Sequence, residues 1–233
     1  MAGNVGQVCG WSAVVSAAIS AALSAAQGAV GRRLGTAVAT VVFALTWPGA
    51  PLHAQAQAQP KPESLAACAA CHGVGGNSPT ASLPSIAAQP RTFIENQLVL
   101  IREGLRDVPE MKALMSSMDD SEIVALAKHF SAQPTLPTAG LRQPDKALAG
   151  AELSRRALCG TCHLPGYVGQ NQVPRLAGQQ ETYLLATLKM YRDKPAPGRD
   201  TLMSAPLQGM KDSELDALAH HLAQQGSAAQ VRP

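Results

Sequence analysis

Cys68-Ala69-Ala70-Cys71-His72 decides how the chain reads, and it returns as Cys159-Gly160-Thr161-Cys162-His163. On a helix, positions i, i+3 and i+4 share one face. Each pair of thiols therefore points the same way as the histidine behind it. Two thiols so placed can add to the two vinyl groups of one porphyrin while the imidazole reaches its iron. C-x-x-C-H is accordingly the attachment signal of a c-type haem. A single C-x-x-C could be a redox dithiol. Two copies, each completed by histidine, point instead to two covalently attached haem c groups. Cys68, Cys71, Cys159 and Cys162 would carry the thioethers, and His72 and His163 would be the proximal iron ligands.

Composition agrees with this. The 233 residues contain 5 cysteines, four of them in the motifs, so only Cys9 remains and a disulfide framework does not fit. Aromatic residues make up 3% of the chain, too few for an ordinary core of this size. A small domain needs apolar bulk to offset chain entropy, and haem supplies it.

Residues 1–31 carry no Lys, Arg, Asp or Glu. Arg32-Arg33 then precede an apolar run from Leu34 to Trp47, broken by Pro48, Gly49 and Pro51 and followed by Ala54-Gln55-Ala56. This is the order of a secretory signal peptide. The run is short for a membrane span, which needs about 20 residues. Residues 1–54 are thus expected to be a leader, with the signal peptide at about 32–54 and the true start near Val30. The mature chain is expected in the periplasm. An uncleaved leader would anchor it, and a loose membrane association is a further expectation.

The rest of the chain is an internal repeat. The motifs are offset by 91 residues, from 68 to 159. Leu83-Pro84-Ser85-Ile86-Ala87-Ala88-Gln89 parallels Val173-Pro174-Arg175-Leu176-Ala177-Gly178-Gln179, and Met111 to Phe130 parallels Met203 to Leu222. Pro134, Pro137, Gly140 and Pro144 mark the connector between the copies. Two domains are expected, 55–139 and 140–233. Each reads as helices around one haem, with no convincing strand, so the fold class is all-α.

The last helix of each copy presents one apolar stripe, Ile123, Leu126, Ala127 and Phe130 in the first and Leu215, Leu218, Ala219 and Leu222 in the second. Asp119 with Glu122 resembles a capping box; Lys211 breaks it in the second copy, where Asp212 is the expected cap. Middle helices are expected at Arg91–Glu103 and Gln180–Asp193. An N-terminal helix is expected at Asp145–Leu158 in the second copy, with little room for its counterpart beside Pro60 and Pro62.

The sixth iron ligand decides the chemistry. Repeat alignment sets Met115 against Leu207 and Met190 against Leu100, which removes both methionines. Met111/Met203 and Met118/Met210 remain as matched pairs. Met118 and Met210 stand directly before the last helix, where an apolar residue packs as a staple. Met111 and Met203 lie in the preceding loop, free to bend over a haem face, and are the expected axial ligands.

These residues resemble a two-domain, di-haem class I cytochrome c of the group often called c-four. The resemblance covers about residues 63–225. Its carriers are both C-x-x-C-H motifs, the Pro-x-Leu/Ile-Ala-x-Gln stretches, Arg106 to Met111, and Met118 to Ile123 with its copy. It implies His/Met ligation at each iron, and Pro84 and Pro174 carbonyls that accept from the proximal imidazoles. Two departures stand out. His129 and His221 occupy the place of a family tyrosine that packs on the N-terminal helix, which puts that helix contact in doubt. Leu164 follows His163 where Gly73 follows His72, so the second haem loop is open to a different course.

Residues 55–139 hold six basic and eight acidic side chains, and 140–233 hold eleven and eight. This weak dipole could orient docking, and no basic stripe with interleaved aromatics calls for nucleic acid. Two ligands per iron leave no position for a substrate, so the expected role is single-electron transfer, not catalysis. The expected partners are redox proteins: a terminal oxidase, a quinol-oxidising complex or a dehydrogenase. The alternative is the cytochrome subunit of a flavocytochrome or other dehydrogenase complex.

Overall fold

Pro62 opens the first helix, in the position where proline's missing N–H costs nothing. A computed structural model describes residues 59–138 and 140–226; the expected leader, with Cys9 and the cleavage pattern, lies outside the described residues. The first half contains α1 (Pro62–His72), α2 (Arg91–Arg102), α3 (Pro109–Met115) and α4 (Asp120–Ser131). The second contains α5 (Pro144–Arg156), α6 (Cys159–His163), α7 (Glu181–Asp193) and α8 (Asp212–Ala223). Short 3₁₀ turns follow each haem motif, at Val74–Gly76 and Pro165–Tyr167, and a longer one spans Thr201–Leu207. Among the described residues no strand forms, which bears out the all-α expectation, and none of the helices is long and apolar enough to cross a membrane.

The apolar stripes do what their spacing requires. Ile123, Leu126, Ala127 and Phe130 are buried on α4, as are Leu215, Leu218, Ala219 and Leu222 on α8. Burying each large side chain of this kind contributes about 1.5–3 kcal/mol. The α4 stripe packs with Ile94, Ile101, Met115 and Met118 into one core, and the α8 stripe packs with Leu184, Leu188 and Leu207 into another. The helix starts divide the capping box between them. In α4 the Asp119 carboxylate accepts from Glu122 N at 2.9 Å, while Glu122 turns away to Lys61. In α8 the Glu214 carboxylate accepts from Lys211 N at 2.8 Å. Asp212, the expected cap, instead pairs with Lys189 and Arg192.

The N-terminal helices differ between the halves. In the first, one helix runs from Pro62 through the haem motif itself. In the second, α5 ends at Arg156, and Leu158, in the left-handed region (φ 56°), starts α6 in a new direction. In the second half the doubt over the helix contact is resolved: α5 lies against α8 at Gly150, where a Cβ would stand 2.1 Å from Ala217 O and 2.6 Å from His221 Cβ. His221 takes the place beside it, edge-on to Tyr167 with ring centroids 5.7 Å apart.

The connector is fastened at both ends. Asn77 Nδ2 donates to Pro134 O at 2.9 Å, and Leu136 N donates to Asn77 Oδ1 at 2.8 Å. Thr138 Oγ1 then donates to Ala223 O at 3.2 Å, and Gln143 N to His220 Nε2 at 3.2 Å.

Candidate functional site

His163 closes α6 and is 3% exposed. Its Nδ1 lies 2.8 Å from Pro174 O, and a carbonyl can only accept, so the proton sits on Nδ1. Nε2 then carries a lone pair, is buried, and has no hydrogen-bond partner in the protein. Burial also lowers the ring's pKa, which favours the neutral form. A neutral, oriented imidazole with an unspent buried lone pair is what an iron ligand requires. His72, half-buried at the end of α1, makes the same bond, with Nδ1 2.8 Å from Pro84 O. The Pro84 and Pro174 carbonyls therefore each lie within hydrogen-bond distance of a motif histidine.

Cys68 and Cys159 are half-buried, and Cys71 and Cys162 are exposed. Burial pushes the Cys68 thiol up to about 11 and raises Cys159 as well. A redox dithiol works through a depressed thiol pKa, so the environment disfavours that reading and suits permanent thioethers.

The loops behind the two histidines take the same turn. Gly73 (φ 77°, ψ 166°) and Leu164 (φ 65°, ψ 161°) match. That region is nearly reserved for glycine, and a side chain there stores of order 1–3 kcal/mol. At Gly73 a Cβ would also meet Asn77 O at 2.1 Å. The second loop admits a leucine, and Tyr167 (φ 56°) stands where the first has Gly76. Tyr167 Oη bonds Ser154 Oγ at 2.9 Å and ties this loop to α5.

The methionines correct one expectation. Met111 is not in a loop but in α3, whose N1 residue is Pro109, and Met203 lies in the Thr201–Leu207 3₁₀ turn. Both are half-buried at the edge of their cores. Met115 and its counterpart Leu207 are each 1% exposed and serve as core. Met118 is buried, Met210 is half-buried, and both carbonyls are gripped by an arginine: Arg102 Nη1 to Met118 O at 3.2 Å, Arg192 Nη1 to Met210 O at 3.0 Å. His129 packs edge-on against Phe130.

The two halves meet through a reciprocal set of amide bonds. Ser85 N donates to Gln179 Oε1 at 2.7 Å, and Gln179 Nε2 donates to Ser85 O at 2.8 Å. Arg175 N donates to Gln89 Oε1 at 2.9 Å, and Gln89 Nε2 donates to Arg175 O at 3.0 Å. Arg175 itself is buried; its guanidinium donates to the carbonyls of Ala87 and Ala177, and burial pushes its pKa down to about 10. Its Nε is buried with no hydrogen-bond partner in the protein. The repeat marks Gln89 and Gln179 as matched positions, but no spacing rule shows that each crosses to the other half.

The cytochrome c family model matches residues 147–226, and the model described as cytochrome c oxidase, cbb3-type, subunit III matches residues 55–129. Cytochrome c4 of Pseudomonas aeruginosa is 28% identical over 181 residues, covering 73% of this chain and 89% of the relative. The thiosulfate dehydrogenase electron acceptor of Thiomonas intermedia is 32% identical over 175 residues, covering 70% of this chain and 81% of that protein. The chain belongs to the di-haem class I cytochromes c of the c4 group. The crystal structure of reduced recombinant cytochrome c4 from Pseudomonas stutzeri superposes with a TM-score of 0.64 at 28% identity, over 70% of this chain and 95% of that one. This cytochrome therefore carries two covalent haem c groups and transfers electrons.

Proposed function

We propose that this cytochrome is an exported, periplasmic carrier that passes single electrons between redox proteins and performs no substrate chemistry of its own. The observation behind it is the pair of proximal histidines, each held through Nδ1 by a proline carbonyl, with a methionine at a matched place in each half. His72 with Met111, and His163 with Met203, are the axial pairs we assign, in domains 55–139 and 140–233. Haem so ligated takes up and releases one electron with no open position for a substrate, and a methionine ligand raises its potential. The protein's part is to fix each imidazole, exclude water with the α4 and α8 stripes, and leave the Cys71 and Cys162 side exposed.

The Thiomonas relative is named as the electron acceptor of a thiosulfate dehydrogenase. That favours a dehydrogenase as the electron donor here, ahead of a quinol-oxidising complex, with a terminal oxidase downstream. A permanent subunit of a flavocytochrome is the second reading, and co-purification with a flavoprotein would support it.

Ligation is tested by Met111→Ala and Met203→Ala. Each should remove one haem's share of the weak red absorption band of Met–haem ligation, open that iron to carbon monoxide and lower its potential. Retention of the full band in both variants would overturn the assignment.

A further inference from the structure

The peptide between Pro84 and Ser85 is used at both ends. Its carbonyl accepts from His72 Nδ1 at 2.8 Å, and its N–H donates to Gln179 Oε1 at 2.7 Å. The peptide between Pro174 and Arg175 is used in the same way, by His163 Nδ1 at 2.8 Å and by Gln89 Oε1 at 2.9 Å. In each case the histidine belongs to the peptide's own half and the glutamine to the other. Gln89 and Gln179 are 4% and 3% exposed, so water does not compete with these bonds.

Hydrogen bonds at the two ends of an amide reinforce each other. A bond to the N–H polarises the unit and draws negative charge to its oxygen, strengthening the bond accepted there by about 10–30%. A stronger acceptor at Nδ1 makes the imidazole a better electron donor, which favours ferric iron at Nε2.

We propose that the glutamines tune the two irons crosswise: Gln179 holds down the potential of the haem ligated by His72, and Gln89 that of the haem ligated by His163. The proposal rests on the histidine ligation assigned above. Contact between the halves then does more than hold them together, because each proximal ligand has the strength it has only while the other half is docked.

The test uses the haem-loaded protein. Reduction is followed by potentiometric titration, with the shifted haem methyl proton resonances assigning each step to its haem. Gln179→Leu should raise the ferrous-to-ferric ratio of the His72 haem at fixed poise by about 1.5- to 4-fold and leave the His163 haem unchanged. Gln89→Leu should do the reverse. Gln179→Glu, which in its protonated form keeps both the acceptor and the donor, should restore the parent value. Asn96→Ala removes a bond across the same junction, Asn96 Nδ2 to Gln172 Oε1 at 3.4 Å, that touches neither peptide, and should move neither haem. Shifts within the mutated half, equal shifts of both haems in both variants, or none at all would overturn the tuning. Failure of histidine ligation is separable, because it would appear in the spectrum of the unmutated protein.

Discussion

Gly150→Ala isolates the α5–α8 crossing. In an isolated helix this change stabilises by about 1 kcal/mol. Here the new Cβ would stand 2.1 Å from Ala217 O and 2.6 Å from His221 Cβ. Ordinary contact requires the helices to part by about 1 Å, and the obstacles are a helical carbonyl and a Cβ, neither able to swing aside. Overpacking of this kind costs about 1–3 kcal/mol, and a rigid obstacle places it at the upper end. The net loss is then about 2 kcal/mol. For a chain of this size each kcal/mol moves the melting temperature by roughly 2–4 °C, so the haem-loaded variant should melt about 4–8 °C below its parent by circular dichroism. Gly160→Ala is the control, because nothing lies within 4 Å of its Cβ position, and it should not lower the melting point. A Gly150→Ala protein that melts with its parent or above it would refute the close crossing.

Cys68→Ala with Cys71→Ala should leave the first half unfolded while the second still folds, because haem is the bulk that a core so poor in aromatics lacks; full helical content in that variant would sink the idea. Met118→Ala should cost about 2–5 kcal/mol of packing with the methionine–haem band intact, and loss of the band would exchange the assigned methionine pairs. Glu122 gives a pH signature. Burial raises its pKa, but hydrogen bonds from Ser64 and Lys61 pull it down further, and the net value lies below that of an ordinary glutamate. Its contribution is therefore complete above the unfolded value near 4.3 and is lost as pH falls through the lowered folded value. Glu122→Gln should melt below the parent at neutral pH, with the gap closing as the pH drops below about 4; a gap that stays constant into acid would contradict this.

Local features were legible in the sequence. The bounds of α2 and α7 fall within one residue of expectation, and both stripes are buried as their i, i+3, i+4, i+7 spacing demands. A period of 3.6 records which face is apolar, and proline and cap residues record where a helix begins. Pro109 and Glu110 carry the local signal for α3, a proline at N1 with an acid behind it. What could not be read locally depends on chain segments far apart. Gly150 looks like a weak spot in a helix until Ala217 is brought against it. Leu164 occupies a conformation that its residue type argues against, held by the surrounding loop. Gln89 and Gln179 each satisfy a peptide some 90 residues away, and amide side chains carry no periodic mark of their targets.

The connector fixes how much the junction must do by itself. It is tied to the first half by Asn77 and to the second by Ala223 and His220. A tether this short holds its ends at an effective concentration in the millimolar range. Each amide bond across the junction contributes only about 0.5–1.5 kcal/mol net, too little to keep two separate domains together at the micromolar concentrations of a cell. Within one chain it is sufficient, since the entropy of bringing the halves together was removed when they were synthesised as one polypeptide. A junction made of exchangeable polar bonds can therefore open and return to the same register. Cutting the chain between Pro134 and Pro144 would turn that return into a search through solution, and the pair of haems would cease to behave as a unit.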